Sequence, residues 1–372
     1  MNIKSLLIGS AAALAAVSGA KAADAIVAAE PEPLEYVRVC DAFGTGFFYI
    51  PGTETCLKFD GYIRFQTNFG RNLSGTSDWD AGSRAQFNID TRTDTELGAL
   101  RGYIGFRAEP DAVGVDGTVF AEQAFIELGG LKVGKFYNWW DDGLSGETDG
   151  LATFTLFNSA RYVYDAGSFW AGVSVDELEG SNGRFVTINA AGTGAVALEN
   201  DNNVGVSGGL GATLGGAKLQ LIGGYDFDQE EGAVRLIATA DIGPGTLGLA
   251  GVWASGVNAY YAESEWAVAA EYAIKATDRL TITPAAQYYG NIAAKGTAAQ
   301  FAGAGVAVTT GLAASTNFYA TNDWSSNDAW KAGVTVDYKI TEGLSTKLTV
   351  NYYDPDNGNE QWTGFARLQR AF

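Results

Sequence analysis

Three features of the sequence predict an all-β fold, a closed antiparallel barrel that spans a membrane. Segments that alternate apolar and polar residues, with the two-residue period of a β-strand, recur along the chain. The connections between them alternate between short glycine-rich turns and long loops. The last alternating segment, from Gln361 to Phe372, ends on an aromatic residue. A membrane barrel needs such a final strand, because it must pair with the first strand to leave no free edge in lipid.

Sixteen segments fit the strand pattern. In the first of them, Leu57 and Phe59 alternate with Lys58 and Asp60. Glycine and alanine blur the alternation between residues 160 and 214. An even number of strands leaves both chain ends on the periplasmic side. We predict strands at residues 56–69, 81–93, 99–110, 117–128, 131–137, 160–165, 168–178, 202–214, 217–228, 232–242, 246–255, 264–275, 279–289, 327–340, 344–353 and 361–372.

The apolar faces carry aromatic residues near the strand ends, as interfacial girdles of membrane barrels do. A soluble β-sandwich also alternates, with a core on one face and water on the other, and it remains the alternative. Arg370 has the parity of the apolar face, so we expect it to extend to the periplasmic headgroups. Pro284 removes a backbone donor inside its predicted strand. The girdle candidates are Trp266, Trp330, Trp362 and Phe372.

Residues 1–22 have the features of a secretory signal peptide. A basic n-region precedes an apolar run from Leu6 to Val17, and Ala20 and Ala22 occupy the positions that favour cleavage. The apolar run is shorter than the ~20 residues of a transmembrane helix, which disfavours a membrane anchor. We therefore predict a signal peptide at 1–22, a periplasmic segment at 23–55 and a barrel at 56–372.

The composition excludes several classes of function. The formal net charge is −19, and it becomes about −21 once Lys4 and Lys21 leave with the signal peptide, which argues against nucleic-acid binding. The chain has no histidine, so neither a Ser-His-Asp triad nor a histidine metal site can form. The 49 glycines, 20 phenylalanines, 17 tyrosines and only 7 prolines favour β-structure with tight turns. We predict no enzymatic activity, no cofactor and no metal.

An acidic, aromatic and glycine-rich connection follows the fifth predicted strand, at residues 138–150. A barrel of sixteen strands encloses a water-filled lumen, and its polar face lines that lumen. Opposed acidic and basic groups there would produce a transverse field that selects ions by sign. The alternatives are a solvated extracellular loop for the acids and structural ion pairs for the arginines. Five arginines of early strands have lumen parity: Arg64, Arg84, Arg92, Arg101 and Arg107.

Four stretches carry a resemblance to a known family, namely YVRVCDAFG at 36–44, FFYIPGTETCL at 47–57, IELGGLKVG at 126–134 and FARLQRAF at 365–372. The chain resembles the general porins of the alphaproteobacterial outer membrane, of the rhizobial and brucella type, over essentially its whole length. The block bounded by the two cysteines is specific, whereas the Gly-Gly-Leu turn occurs in many porins.

The resemblance implies sixteen strands, a homotrimer in the outer membrane and passive diffusion of small hydrophilic solutes. It implies surroundings of lipid and lipopolysaccharide, and a barrel assembly machinery that recognises Phe372 as a terminal signal. It also implies that the loop after the fifth strand folds inward as the constriction of the pore. The acids placed in that role are Asp141, Asp142, Glu147 and Asp149.

Cys40 and Cys56 are the two cysteines of the chain. In an oxidising periplasm we expect them to form a disulfide, which would tie the N-terminal segment to the first strand. Two free thiols are the alternative, and two sulfurs without histidine make a poor metal site. The acidic turn at residues 354–360 lacks the full spacing of a calcium loop, so we interpret it as a solvated turn.

Two kinds of channel fit the sequence. A general diffusion channel with a weak cation preference follows from the net charge of the chain. A solute-specific channel, for example for sugars, is the alternative, and in it Trp139 and Trp140 would stack on the substrate.

Overall fold

The computed structural model describes residues 38–70, 77–110, 119–179, 185–188, 194–197, 203–297, 307–308, 317–320 and 324–372. Contacts divide the chain into two units, Met1–Arg38 and Val39–Phe372, and all the strands belong to the second. The predicted signal peptide lies outside the described residues, so it remains a prediction. No helix in the described ranges is both long and apolar enough to cross a membrane.

The described residues form twenty-two strands and two 3-10 helices, Asp41–Phe43 and Trp139–Asp141. The first eleven strands are β1 (Phe48–Tyr49), β2 (Cys56–Gly70), β3 (Trp79–Thr93), β4 (Leu100–Ala108), β5 (Val119–Leu128), β6 (Leu131–Tyr137), β7 (Leu156–Asp165), β8 (Phe169–Glu177), β9 (Phe185–Ile188), β10 (Gly194–Ala197) and β11 (Val204–Leu214). The others are β12 (Ala217–Asp226), β13 (Glu231–Ile242), β14 (Gly245–Ala254), β15 (Ser264–Lys275), β16 (Leu280–Ile292), β17 (Lys295–Thr297), β18 (Ala307–Val308), β19 (Asn317–Ala320), β20 (Ala329–Thr341), β21 (Leu344–Pro355) and β22 (Gln361–Ala371).

Sixteen of these strands form one closed antiparallel barrel, which confirms the predicted fold class. They are β2 to β8, β11 to β16 and β20 to β22. The barrel closes because β2 pairs with β3 along one edge and with β22 along the other. Phe372 completes the closure: its N–H donates to the Gly61 carbonyl (3.0 Å), and the Gly61 N–H donates back (3.2 Å). The short strand β1 pairs with the start of β2, on the part of the second edge that β22 does not reach, with Tyr49 opposite Cys56.

The outward face is apolar and exposed, as the alternation predicts. Along β15, Val268 is 51% exposed, whereas its neighbours Ala267 and Ala269 are 1% and 6% exposed. Arg370 donates to the carbonyl of Glu342 in the turn between β20 and β21 (3.2 Å), which places it at the strand end where we expected it. Six outward aromatic residues form a band at the ends of the strands opposite the short turns: Trp253, Trp266, Tyr288, Trp330, Tyr352 and Trp362.

The observed bounds of the barrel strands differ from the predicted ones by at most three residues, except at β7. Strand β7 begins at Leu156, four residues earlier than predicted. The long connections after β8 and β16 carry short strands, which form a separate sheet in the order β17, β19, β9, β10, β18. These strands have two to four residues, too few for alternation to reveal them. Pro284 lies within β16, and its pairing with β15 is interrupted between Ile282 and Ala285 while its pairing with β20 is continuous.

A hydrophobic core lies inside the barrel, against the inward faces of β13 to β15. The inward side chains there are small: Ala250, Ala254, Ala267 and Ala269 are all at most 7% exposed. They are buried because two in-folded connections cover them, the residues 138–155 after β6 and 255–263 after β14. The members of the core from these connections include Trp139, Trp140, Leu151, Val257, Ala259, Tyr260, Tyr261 and Ala262.

Candidate pore constriction

The 138–155 loop, which connects β6 to β7, begins at a buried asparagine. Asn138 accepts a hydrogen bond from the Trp140 N–H (3.4 Å) and so caps the short helix Trp139–Asp141. The Asn138 N–H donates to the carbonyl of Thr155 (2.6 Å), which ties the two ends of the loop together. The fifth barrel strand, β6, therefore leads into a loop with a closed base.

The tip of the loop is bonded to inward side chains far along the chain. The N–H groups of Ser145 and Gly146 donate to the two carboxylate oxygens of Glu271 on β15 (2.7 and 2.8 Å). The Glu147 N–H donates to the hydroxyl of Thr335 on β20 (3.0 Å). These partners have the parity opposite to the exposed apolar face, so the tip lies against the interior wall.

Three further hydrogen bonds extend this attachment. The Thr148 hydroxyl donates to the Asn351 amide oxygen on β21 (2.8 Å). The Gly150 N–H donates to Gln287 on β16 (2.6 Å), and the Gln287 amide donates back to the Gly150 carbonyl (3.0 Å). The polar backbone of the tip is thus satisfied by side chains of four strands, β15, β16, β20 and β21.

The four predicted acids of this loop have different environments. Asp141 is exposed and accepts from the Thr155 hydroxyl (2.9 Å). Asp142 is exposed and accepts from the Gln220 amide (2.6 Å). Burial, with the negative charge of Glu271 nearby, raises the pKa of Asp149 to about 6.

Of the four predicted acids, Glu147 is the one that forms ion pairs with basic residues of the inner face of the barrel. Its carboxylate lies 2.9 Å from the Lys347 ammonium and 3.6 Å from the Arg367 guanidinium. Lys347 lies on β21 and Arg367 on β22, the strand that closes the barrel. The loop tip and the closing seam of the barrel therefore meet through one ion-pair network.

Four of the five predicted arginines form ion pairs, and three of these four, Arg92, Arg101 and Arg107, pair with carboxylates of β3 to β5. Arg92 and Arg101 both bind the buried carboxylate of Asp90, at 3.0 and 2.9 Å, and Arg101 also pairs with Glu127 (3.4 Å). Arg107 pairs with the buried Glu122. The Arg92 pair lies within β3, and the other pairs join β3 to β4 and β4 to β5, so they neutralise three of the five positive charges that the sequence assigned to the pore wall.

Arg64 and Arg84 line an open polar cavity, together with Arg367. Arg64 and Arg84 lie directly opposite each other on β2 and β3. Arg84 pairs with Glu109 (2.5 Å), whereas Arg64 donates to the neutral amide of Gln369 (2.9 Å). In the part of the chain that the structure describes, no carboxylate forms an ion pair with Arg64. The rest of the lining is Gln66, Asn68, Asp80, Gly82, Ser83 and Glu109.

The comparisons with known proteins agree with this geometry. Residues 24–369 match a family described as a porin subfamily. The chain belongs to this subfamily. Outer membrane protein IIIA of Rhizobium leguminosarum bv. viciae is 49% identical over 371 residues, 98% of this chain and 93% of that protein. Porin Omp2b of Brucella suis biovar 1 is 34% identical over 406 residues, with all of both chains covered. The porin is therefore an outer-membrane channel whose barrel crosses the membrane many times.

Two solved structures share the fold of this porin at low identity. The outer membrane channel DcaP of Acinetobacter baumannii gives a TM-score of 0.61 at 12% identity, over 87% of this chain and 99% of that chain. OmpT of Vibrio cholerae, in a trimer form, gives 0.57 at 14% identity, over 86% of this chain and all of that one. At these identities the likeness shows the barrel fold alone.

The two tryptophans of the 138–155 loop are not available to a solute. Trp140 is 1% exposed, and the Arg235 guanidinium lies 5.2 Å from its ring. Trp139 is 8% exposed, stacks on Trp170 with ring centroids 5.5 Å apart and lies under Arg161 at 4.0 Å. The stacking role expected for them in a sugar-specific channel is therefore wrong, because the protein itself covers both rings.

The predicted disulfide is confirmed, and the acids of the turn at residues 354–360 accept hydrogen bonds from neighbouring groups. Cys40 and Cys56 are bonded, with Cα atoms 6.0 Å apart, and both are buried. Asp354 accepts from the Trp330 indole (3.2 Å) and Asp356 from the Asp328 N–H (3.0 Å). The described residues contain no cluster of three or more acidic or cysteine side chains that could hold a metal ion.

Sequence reasoning missed three charged residues of the site. Arg367 and Glu271 have lumen parity within predicted strands, and so does Arg235 on β13. Parity could have placed all three on the polar face. It could not show that they meet the 138–155 loop, since those contacts join residues more than 90 positions apart.

Proposed function

We propose that this porin is a general diffusion channel through which small hydrophilic solutes and ions pass passively. The observation that carries the proposal is the contact of Glu147 with Lys347 and Arg367. It supports a constriction in which the 138–155 loop narrows the lumen and faces the wall formed by Arg64, Arg84 and Arg367. A sixteen-stranded barrel leaves a lumen that its own side chains cannot fill. The channel needs no catalytic step.

The proposed ion preference is weak and favours cations. The formal charge of −19 and the exposed carboxylates of Asp141 and Asp142 raise the local concentration of cations. Glu147 adds little, because two basic groups neutralise it. Arg64 opposes the preference, since no ion pair in the described residues neutralises it. Because these negative and positive charges oppose each other, the expected preference for cations is weak.

The alternatives from the sequence receive no support. The two tryptophans that would stack on a substrate in a sugar-specific channel are buried in the hydrophobic core. A soluble β-sandwich is excluded by the closed barrel and by membership of the porin subfamily.

We further propose that the porin assembles as a homotrimer, since OmpT of Vibrio cholerae has been solved in a trimer form. Its surroundings would be outer-membrane lipid and lipopolysaccharide. Residues 1–22 would be removed as a signal peptide, and residues 23–55 would lie on the periplasmic side. Phe372, which closes the seam with Gly61, would serve the barrel assembly machinery as its terminal signal.

Planar-bilayer recordings in a gradient of KCl test the channel and its selectivity. We expect discrete conductance steps and a small reversal potential of the sign given by cations. The double variant Arg64→Gln, Arg367→Gln removes two positive charges from the wall, so the cation preference should rise. Arg279→Gln removes one exposed charge from a short turn and serves as the control, with an unchanged reversal potential.

Two results would contradict these proposals. Absence of conductance from folded, purified protein would exclude the channel. An unchanged reversal potential in the double variant would show that Arg64 and Arg367 do not face the permeation path.

A further inference from the structure

The 255–263 loop between β14 and β15 is buried inside the barrel. Six consecutive residues, 257–262, are at most 4% exposed. Connecting loops normally run over the surface, because buried backbone needs hydrogen-bond partners. Here the Tyr260 ring lies against Gly205 and Gly224, where a Cβ atom would collide with it. The residues next to Gly205 on β11 face outward, so Tyr260 occupies the interior.

This loop is bonded directly to the returning arm of the 138–155 loop. The Thr153 N–H donates to the Tyr260 carbonyl (3.0 Å), and the Phe154 N–H donates to the Ala259 carbonyl (3.1 Å). In the opposite direction, the Ala262 N–H donates to the Thr153 hydroxyl (2.8 Å). The two in-folded loops are therefore joined directly by backbone and side-chain hydrogen bonds.

Asp176 on β8 joins the 255–263 loop to the base of the other one. Its carboxylate is fully buried and accepts five hydrogen bonds. Tyr260 donates from its hydroxyl (2.8 Å), and Asn138 donates from its side-chain amide (2.9 Å). The other three donors are the hydroxyls of Ser159, Ser174 and Ser207, at 2.6 to 2.7 Å.

The chemistry of Tyr260 suits a permanent donor. Burial, together with the negative charge of Asp176, raises the pKa of Tyr260, so the hydroxyl keeps its proton. Asn258 fixes the turn that presents it, because its side-chain oxygen accepts from the N–H groups of Tyr260 and Tyr261 (both 3.1 Å). This is an Asx-type turn, which competes well with regular structure.

We propose that the 255–263 loop is a brace that holds the 138–155 loop at a fixed distance from the arginine wall, with Tyr260 as its positioning residue. The inference rests on the proposed function, in which the 138–155 loop sets the aperture. The tip bonds of that loop end on buried side chains of β15, β16, β20 and β21, so they hold only the tip. The brace bonds hold the base and the returning arm, which the tip bonds do not reach, so they position the rest of the loop.

The variant Tyr260→Phe tests the brace in single-channel recordings. It removes one hydroxyl, and Asp176 keeps four donors, so the barrel should fold. Loss of one buried hydrogen bond, about 1 kcal/mol, should raise the frequency of brief current closures roughly fivefold. Tyr272→Phe is the matched control, because its hydroxyl donates to the Ile242 carbonyl (2.6 Å) near a short turn, away from both loops.

Thr153→Val provides a second, independent test. It removes the acceptor of the Ala262 N–H without a contact to Asp176, and it should also raise the closure frequency. Both variants should keep the β-sheet content and heat resistance of the native protein. A general loss of stability would instead lower both of these. Closures at the native frequency in folded Tyr260→Phe and Thr153→Val channels would overturn the brace. Failure of the native protein to conduct would instead overturn the proposed function.

Discussion

The interior of the barrel has two halves, which differ in what faces inward. On the inner face of β11 to β15 most residues are small, with Arg235 and Glu271 as charged exceptions that bond to the 138–155 loop, and the two in-folded loops cover this face with an apolar core. On the inner face of β22, β2 and β3 the residues are long and polar, and they line an open cavity. The outward faces of both halves are equally apolar. The contrast teaches that a run of small inward residues marks where loops bind inside a barrel, whereas a run of long polar inward residues marks its water-filled part.

The strongest test of this contrast compares an arginine from each half. Arg235 is 1% exposed and donates to the carbonyls of Trp139 (2.9 Å), Trp140 (2.9 Å) and Leu151 (3.2 Å). Arg235→Ala leaves these three acceptors without that donor, so we expect a loss of about 3 kcal/mol in the free energy of unfolding. Denaturant unfolding in detergent, followed by circular dichroism, measures it.

The matched control is Arg64→Ala in the open half. Arg64 contacts the Gln369 amide and the ring of Tyr62, both beside water, and its loss should change the free energy of unfolding by less than about 0.5 kcal/mol. Equal losses in the two variants would show that the filled half is no more tightly organised than the open one.

A smaller effect is expected from glycines of the two halves. A Cβ atom on Gly224 would lie 2.5 to 2.8 Å from three ring atoms of Tyr260, whereas one on Gly82 would meet nothing within 4 Å. Gly224→Val should therefore displace the 255–263 loop and cost about 1 to 3 kcal/mol. Gly82→Val in β3 should be close to neutral. Thermal unfolding of the two variants in the same detergent checks this, and a neutral Gly224→Val would contradict the tight fit of Tyr260.

The outward face of the barrel could be predicted from the sequence, whereas the half of the interior that the loops fill could not. Lipid requires an apolar residue at every second position, so strands such as β15 have an alternation that the sequence shows directly. Between residues 160 and 214 the alternation was blurred for a reason that the structure supplies. The inward positions Gly205, Gly209 and Gly211 lie against Tyr260 and Trp170, which leave no room for larger side chains.

The candidate site could be predicted only in part, because parity shows the face on which a residue lies but not the partners that it contacts there. Parity placed Arg64 and Arg84 on the lumen face, and both line the cavity. Parity could not distinguish them from Arg101, because its pairing with Asp90 depends on the register of β3 and β4. Arg92 lies two residues from Asp90 on the same strand, so parity alone places that pair on one face. The burial of the loop tryptophans depends on contacts with distant strands, which no local pattern encodes.

The smallest effect concerns the pH dependence of ion selectivity. The raised pKa of Asp149, about 6, means that this carboxyl is charged at pH 7 and neutral at pH 5. The cation preference should therefore decrease slightly as the pH falls through 6. The chain has no histidine, the side chain whose ordinary pKa lies in that interval. Reversal potentials in a KCl gradient at pH 7 and pH 5 measure the step, and Asp149→Asn should abolish it.

The raised pKa of Asp149 also predicts how the free energy of unfolding changes with pH. Its pKa in the folded protein lies above the ordinary value of 3.8, so the folded state binds more protons between pH 3.8 and 6. Stability from this group is present at low pH and is lost as the pH rises through that window. Asp149→Asn, which stays neutral, should remove this slope from the unfolding free energy while leaving the barrel intact. A selectivity step that persists in Asp149→Asn would assign the titration to another acid of the loop, and Asp141→Asn and Asp142→Asn would then identify which one lies beside the permeating ions.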